Sequence, residues 1–234
     1  MTIIKEIQFL SETFWLKGYL HLPPVVKPPF IIGSHGLLSD KDSPKQIALA
    51  RHCNQCQMAY FRFDHRGCGE SKAPFNEVTS LQARCTDLKA AANMLLSRSD
   101  LGNRMGLFGS SMGGSVCLSA ARELSAGAIV TWAAPIRSAD LIAQQDQTAT
   151  GSESPFEKHP FDIRPAIDGL RNVLIFHGDA DQTVPIAHAH EIAERAGDPK
   201  KLVIFSRSDH RMSRPADQRA FVQEAARWFQ SFLR

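Results

Sequence analysis

Apolar residues in this chain fall into short runs separated by polar or turn-forming stretches, and the runs switch between strand-like and helical spacing. Ile3–Phe9 and Phe14–Leu22 read as two strands, the second with partial alternation, joined by a Ser-Glu-Thr turn. Pro23-Pro24 and Pro28-Pro29 break the chain into an exposed connector before Phe30-Ile31-Ile32, a short apolar strand. Asp42 or Ser43 followed by Pro44 marks a helix start, with a cap acceptor and proline in the first turn, and that helix runs to about Cys56. Met58–Phe63 predicts another strand. Val78–Ser97 places Leu81, Cys85, Leu88, Ala92 and Leu95 at helical spacing. Met105–Phe108 is strand-like and leads through a Gly/Ser turn into an Ala/Leu/Val-rich helix. Ala128–Trp132, Val173–Phe176 and Lys201–Phe205 predict three more strands; Ile186–Ala196 and Asp217–Leu233 predict helices.

After the first two strands, strand and helix alternate. Such βαβ units build an α/β fold, a mostly parallel central sheet with helices on both faces. From about Ile136 to Pro165 the period is lost and the chain turns polar, with Gln144-Gln145, Gly151-Ser152 and several prolines. That is too long for an ordinary connection, and it is expected to be a short lid over an active site in a single domain spanning residues 1–234.

Composition narrows the classes. The net charge of +3 comes from 27 basic against 24 acidic residues without a basic block, which argues against nucleic acid as the main partner. No apolar run approaches the length of a membrane span. The N-terminus MTIIKEIQFLSE carries acids where the apolar stretch of a signal peptide would continue, so a cytoplasmic protein is expected. Five cysteines (Cys53, Cys56, Cys68, Cys85 and Cys117) are an odd number at irregular spacing, which suits reduced thiols. Cys53 and Cys56 match C-x-x-C, but no second pair completes a metal site, and two small apolar residues facing a core account for them more simply. No metal and no cofactor is called for.

The chemistry concentrates at Gly109-Ser110-Ser111-Met112-Gly113, which fits G-x-S-x-G with a strand before and a helix after. A serine on so sharp a turn sits in strained backbone, and side chains at the flanking glycines would collide with neighbouring elements. The turn lifts the Ser111 hydroxyl to a helix N-terminus, where negative charge is favoured. A serine hydroxyl needs a base, which points to histidine, and a carboxylate to orient that base. In parallel sheets functional groups gather at the carboxyl ends of strands. Asp179 and Asp181 follow one strand and His210 another. His35 and His65 also follow strands, so spacing alone leaves them open; His21, His52, His159, His188 and His190 are placed less well.

Four further motifs carry a resemblance: Ser34-His35-Gly36-Leu37; Asp64-x-Arg66-Gly67-x-Gly69-x-Ser71; His177-Gly178-x-x-Asp181-x-x-Val184-Pro185; and Ser208-Asp209-His210. With the serine elbow they span residues 30–210. In this order they resemble the α/β-hydrolase superfamily, and within it the serine-aminopeptidase-like and short-chain carboxylesterase branch that includes feruloyl esterases and monoacylglycerol lipase relatives. The resemblance implies a triad of Ser111, Asp181 and His210, with Asp179 as a turn residue. It also implies an oxyanion hole from the backbone N–H groups of Leu37 and Met112, with Gly36 beside them. The Asp64–Ser71 segment corresponds to a structural loop in which Arg66 makes hydrogen bonds. Gly36, together with Phe156 and Phe161 in the lid, makes up the expected substrate-binding set.

The expected function is therefore cleavage of a small to medium carboxylic ester through an acyl-enzyme. Aminopeptidase or thioesterase action uses the same triad, and an aminopeptidase would want an acidic lid residue such as Glu153, Glu157 or Asp162. A catalytically silent ligand-binding module is the reading from another class, although it has no need of a complete triad. A haloalkane dehalogenase would carry aspartate at position 111. The partner expected is a small ester.

Overall fold

The structure, a computed structural model of the chain, describes residues 2–145 and 158–234. Its centre is an eight-stranded sheet of β1 (Ile3–Ser11), β2 (Phe14–Leu22), β3 (Phe30–Ser34), β4 (Ala59–Phe63), β5 (Met105–Ser110), β6 (Ala128–Trp132), β7 (Val173–Gly178) and β8 (Lys200–Phe205). The spatial order is β1-β2-β4-β3-β5-β6-β7-β8. β1 and β2 form an antiparallel hairpin, from Ile3 opposite Leu22 to Ser11 opposite Phe14, and β2 pairs antiparallel with β4. All other pairings are parallel.

The helices are α1 (Pro44–Gln55), α2 (Phe75–Val78), α3 (Leu81–Leu96), α4 (Met112–Ala120), α5 (Ser138–Gln145), α6 (Arg164–Ile167), α7 (Ala187–Arg195) and α8 (Pro215–Leu233). They cover both faces, and the strands show it in their side-chain alternation. In β4, Ala59, Phe61 and Phe63 pack with α3 and α4, whereas Tyr60 packs with α1 and α8. Both faces are dry, so these strands are continuous apolar runs rather than alternating ones. Cys53 is a buried core residue on α1, Cys56 closes that helix, and all five thiols are free.

The stretch expected to be irregular is partly helical. α5 occupies Ser138–Gln145, and Ile163 N–H bonds the Ile136 carbonyl while Ser138 N–H bonds that of Phe161, so the two ends of the insertion are tied at its base. Among the described side chains of α5, Leu141 is the one buried apolar residue and the other buried one, Ser138, is polar; that leaves no apolar period to read. The four-residue α2 also escaped the pattern. The middle of the insertion, with Phe156, Glu153 and Glu157, lies outside the described residues.

The topology fixes where a site forms. From β3 the chain crosses to β4 on one side and then returns to β5 on the other. Neighbouring strands whose connections diverge leave a crevice at their carboxyl ends. The loops beginning at His35 and Ser111 open into it.

Candidate active site

Ser111 stands between β5 and α4 with φ +54° and ψ −127°, a conformation that costs a non-glycine residue free energy and persists only where its surroundings impose it. Those surroundings are visible. A Cβ on Gly109 would lie 2.1 Å from the Gly113 carbonyl oxygen, and one on Gly113 would lie 2.1 Å from that of Ser34. Only glycine lets β5, α4 and β3 approach this closely. The Ser111 N–H bonds the Trp132 carbonyl at 2.7 Å, and its own carbonyl accepts from Gly114 N–H at 2.7 Å. The turn is thus held from both sides.

Asp181 and His210 come together from the loops after β7 and β8. His210 Nδ1–H donates to Asp181 Oδ2 at 2.8 Å, and Asp181 Oδ1 accepts the N–H groups of Thr183 and Val184 at 2.8 and 2.9 Å. Burial pushes the Asp181 carboxyl up, but these hydrogen bonds and the imidazole beside it hold it below the usual carboxylate range. It is therefore ionised, and with Nδ1 carrying the hydrogen, Nε2 is the nitrogen left to accept a proton. Asp179 instead takes the Arg207 N–H and shapes the turn.

The His210 loop is pinned from outside. Trp132 Nε1–H donates to the His210 carbonyl at 2.8 Å, and Lys45 Nζ donates to the Arg211 carbonyl at 2.9 Å. Asp209 takes both the N–H and the hydroxyl of Ser213. Neither Lys45 nor Trp132 stood out in the sequence: one follows the Pro44 helix start, and the other ends a buried strand.

A third such residue, Arg84, is fully buried on α3. Its guanidinium donates to the carbonyls of His35 and Gly36, both at 3.2 Å, and of Leu37 at 2.9 Å. His35 Nδ1–H also donates to the Gly36 carbonyl at 2.7 Å. A trans peptide aims its C=O and N–H in opposite directions. With the Gly36 carbonyl turned inward, the Leu37 N–H of that peptide points away from Arg84. The loop also abuts the serine, since a Cβ on Gly36 would lie 3.5 Å from Ser111 Cβ. Met112 is the first residue of α4, a position whose N–H has no acceptor within its own helix. An arginine adjoining the apolar stripe Leu81–Leu95 was the available clue to Arg84.

His35 and His65 do not join this group. Both are buried, His35 accepts the His65 N–H on Nε2, and the two rings meet edge-on. Arg66 binds Asp87 through Nε and Nη2, in keeping with a structural loop.

A cleft of about 810 Å³ contains Ser111, His210, Gly36 and Leu37, and Leu141 reaches it from α5. Phe161 is elsewhere: clamped to Ser138 through its main chain, it rests half-buried against the core. Asp162 is engaged by Arg164. Among the described residues no Asp or Glu lines the cleft, no cluster of His, Cys, Asp and Glu is arranged to hold a metal, and no helix is long and apolar enough to cross a membrane.

The fold and the placement of this cleft define an α/β hydrolase. The chain belongs to the Hydrolase_4 family (serine aminopeptidase, S33), whose model matches residues 29–153, more than half its length. Protein YfhR of Escherichia coli (strain K12), itself uncharacterized, is 29% identical over 157 residues, 64% of this chain and 52% of that protein. The chain therefore spans about half the length of that relative. The mitochondrial palmitoyl-protein thioesterase ABHD10 of Mus musculus is 27% identical over 221 residues, covering 82% of this chain and 72% of that protein. Among solved structures, Est1E from Butyrivibrio proteoclasticus, determined with ferulic acid bound, superimposes with a TM-score of 0.80 at 18% identity, over 97% of this chain and 98% of that one. Esterases and a thioesterase thus stand among the proteins this hydrolase is similar to.

Proposed function

We propose that the chain is a serine esterase for carboxylic esters of small to medium size. The observation that carries the reading is the Asp181–His210 pair, opening on the same cleft as a serine held at positive φ. In this scheme Ser111 Oγ attacks the ester carbonyl carbon while His210 Nε2 takes its proton. The carbonyl π electrons move onto oxygen, and the N–H groups of Leu37 and Met112 stabilise that charge. Collapse of the tetrahedral adduct breaks the bond to the alkoxy oxygen, which leaves with the proton from His210. Water, deprotonated by His210, then attacks the acyl-Ser111 ester, and the carboxylic acid departs as the serine regains its proton. Asp181 holds the imidazole tautomer and stabilises its cation.

Cleft volume supports a substrate of modest size. Of the acids expected to hold a peptide ammonium, Asp162 is engaged by Arg164 and is absent from the cleft lining. A thioester is the second reading, favoured by the likeness to the mouse thioesterase. Hydrolysis of p-nitrophenyl esters from short to long acyl chains, alongside matched thioesters, tests both. Oxygen esters cleaved best at short chain length, with turnover lost in Ser111→Ala, is the expected result. Turnover unchanged in that variant overturns the proposal.

A further inference from the structure

Among the described residues, the cleft's charge is one-sided. Besides His210, its ionisable lining among the described residues consists of Lys45 and Arg211. Lys45 is the second residue of α1 and leans its ammonium toward the Trp132 ring, 6.0 Å from the centroid, with the Arg211 carbonyl as its hydrogen-bond partner. Among the described residues, neither Lys45 nor Arg211 has a carboxylate within ion-pair distance. Several part-buried cations in this chain are matched by carboxylates, Lys41 by Asp42, Asp64 and Glu70, Arg66 by Asp87 and Glu12, and Arg137 by Asp140 and Glu191, whereas Arg84 and Lys200, like Lys45, are held by carbonyls. The acids nearest Lys45 are already occupied, Asp209 by Ser213 and Asp181 by His210.

Burial holds the Lys45 ammonium down to about 8, although Asp209 and Asp181 pull it the other way. A cation kept in a half-dry cleft without a counter-ion is costly in the empty protein, and a ligand carrying a negative charge removes that cost. A lysine beside an arginine suits a carboxylate or a phosphate.

We infer that the cleft selects esters that bear an anionic group, and that Lys45 and Arg211 receive that group. The inference rests on the serine-esterase reading and adds to it a substrate class. It also differs from a purely structural account of Lys45. As an anchor of the His210 loop, Lys45 affects charged and neutral esters alike; as an anion receptor, it changes the ratio between them.

The experiment uses two matched pairs of substrates. p-Nitrophenyl hydrogen glutarate against its methyl ester places the charge on the acyl side; 4-acetoxybenzoate against methyl 4-acetoxybenzoate places it on the alcohol side. Expected is a kcat/KM about tenfold higher for the anionic member of at least one pair. Lys45→Gln and Arg211→Gln lower that ratio several-fold, chiefly through KM, while Lys45→Arg keeps it. Equal rates within both pairs, or a preference that survives both Gln variants, overturn the inference and leave the esterase reading standing. Labelling by a fluorophosphonate, which phosphonylates an activated serine, separates the remaining cases. Labelled Ser111 without cleavage of either anionic ester overturns the inference alone. Neither labelling nor cleavage overturns both.

Discussion

Mild acid is expected to destabilise this protein before most of its carboxylates titrate. Three buried imidazoles each accept an N–H that has no alternative role: Arg62 Nε donates to His21 Nε2 at 3.0 Å, His65 N–H to His35 Nε2 at 3.1 Å, and Ile136 N–H to His188 Nδ1 at 3.0 Å. A proton on any of these nitrogens would face another hydrogen. Burial first, and then the charges of Arg62 and Arg51, bring His21 to about 4; burial, against the pull of Asp87, brings His65 to about 4. Burial also takes His35 well below its ordinary value and lowers His188. The ordinary value, expected in the unfolded chain, is 6.5. The unfolded state therefore binds protons first as pH falls: stability is complete above 6.5 and is lost on the way down to about 4. At about pH 5 each such histidine costs about 2 kcal/mol, so His21 and His65 together remove about 4 kcal/mol, from a domain total of roughly 5–15 kcal/mol. Urea denaturation at steps from about pH 8 to 4.5 measures this. His21→Gln, which keeps an acceptor for Arg62 but does not titrate, should flatten the dependence near pH 5.5 by about 1.2 kcal/mol per pH unit. A wild-type stability constant between about pH 7 and 5 would refute the reasoning.

Three other perturbations have defined outcomes. Asp181→Asn keeps an acceptor for Thr183 and Val184 but permits the wrong His210 tautomer, so kcat should fall by roughly 10³–10⁴ with KM little changed; a loss under about tenfold would contradict the assigned role. Arg84→Met frees three loop carbonyls, and kcat should fall by about 10–100-fold through a misplaced Leu37 N–H. Wild-type kinetics in a folded Arg84→Met variant would separate the loop clamp from the oxyanion site. Gly113→Ala drives a Cβ into the Ser34 carbonyl and should cost about 3 kcal/mol or more in thermal unfolding; an unchanged midpoint would mean that β3 and α4 can part freely.

Much of this architecture was legible from residue order because each long element is apolar on a face that its neighbours cover. The run from Leu81 to Leu95 needed nothing beyond its period, and the strand Val173–Phe176 nothing beyond its short, unbroken apolar run. The crowding that makes Gly109 and Gly113 glycines was also foreseeable, since a strand-to-helix turn around one serine leaves no room for Cβ atoms. What was not legible depends on distance in space. Arg84 reaches loop carbonyls 47 to 49 positions away, and Lys45 meets Arg211 across 166; neither lies in a motif. α5 has a single buried apolar residue, Leu141, among its described side chains, too little to show a period. Phe161 illustrates the limit from the other side: an aromatic in a polar insertion suggests a pocket wall, but the hydrogen bonds between its main chain and Ser138 settle its ring on the core.

The most direct test of the central claim is to trap the acyl-enzyme. A short incubation with p-nitrophenyl acetate, acid quench and peptide mass mapping should find one acetyl group on the peptide that contains Ser111, with none in Ser111→Ala and no turnover by that variant. Acetyl on another residue, or full turnover by Ser111→Ala, would contradict the account.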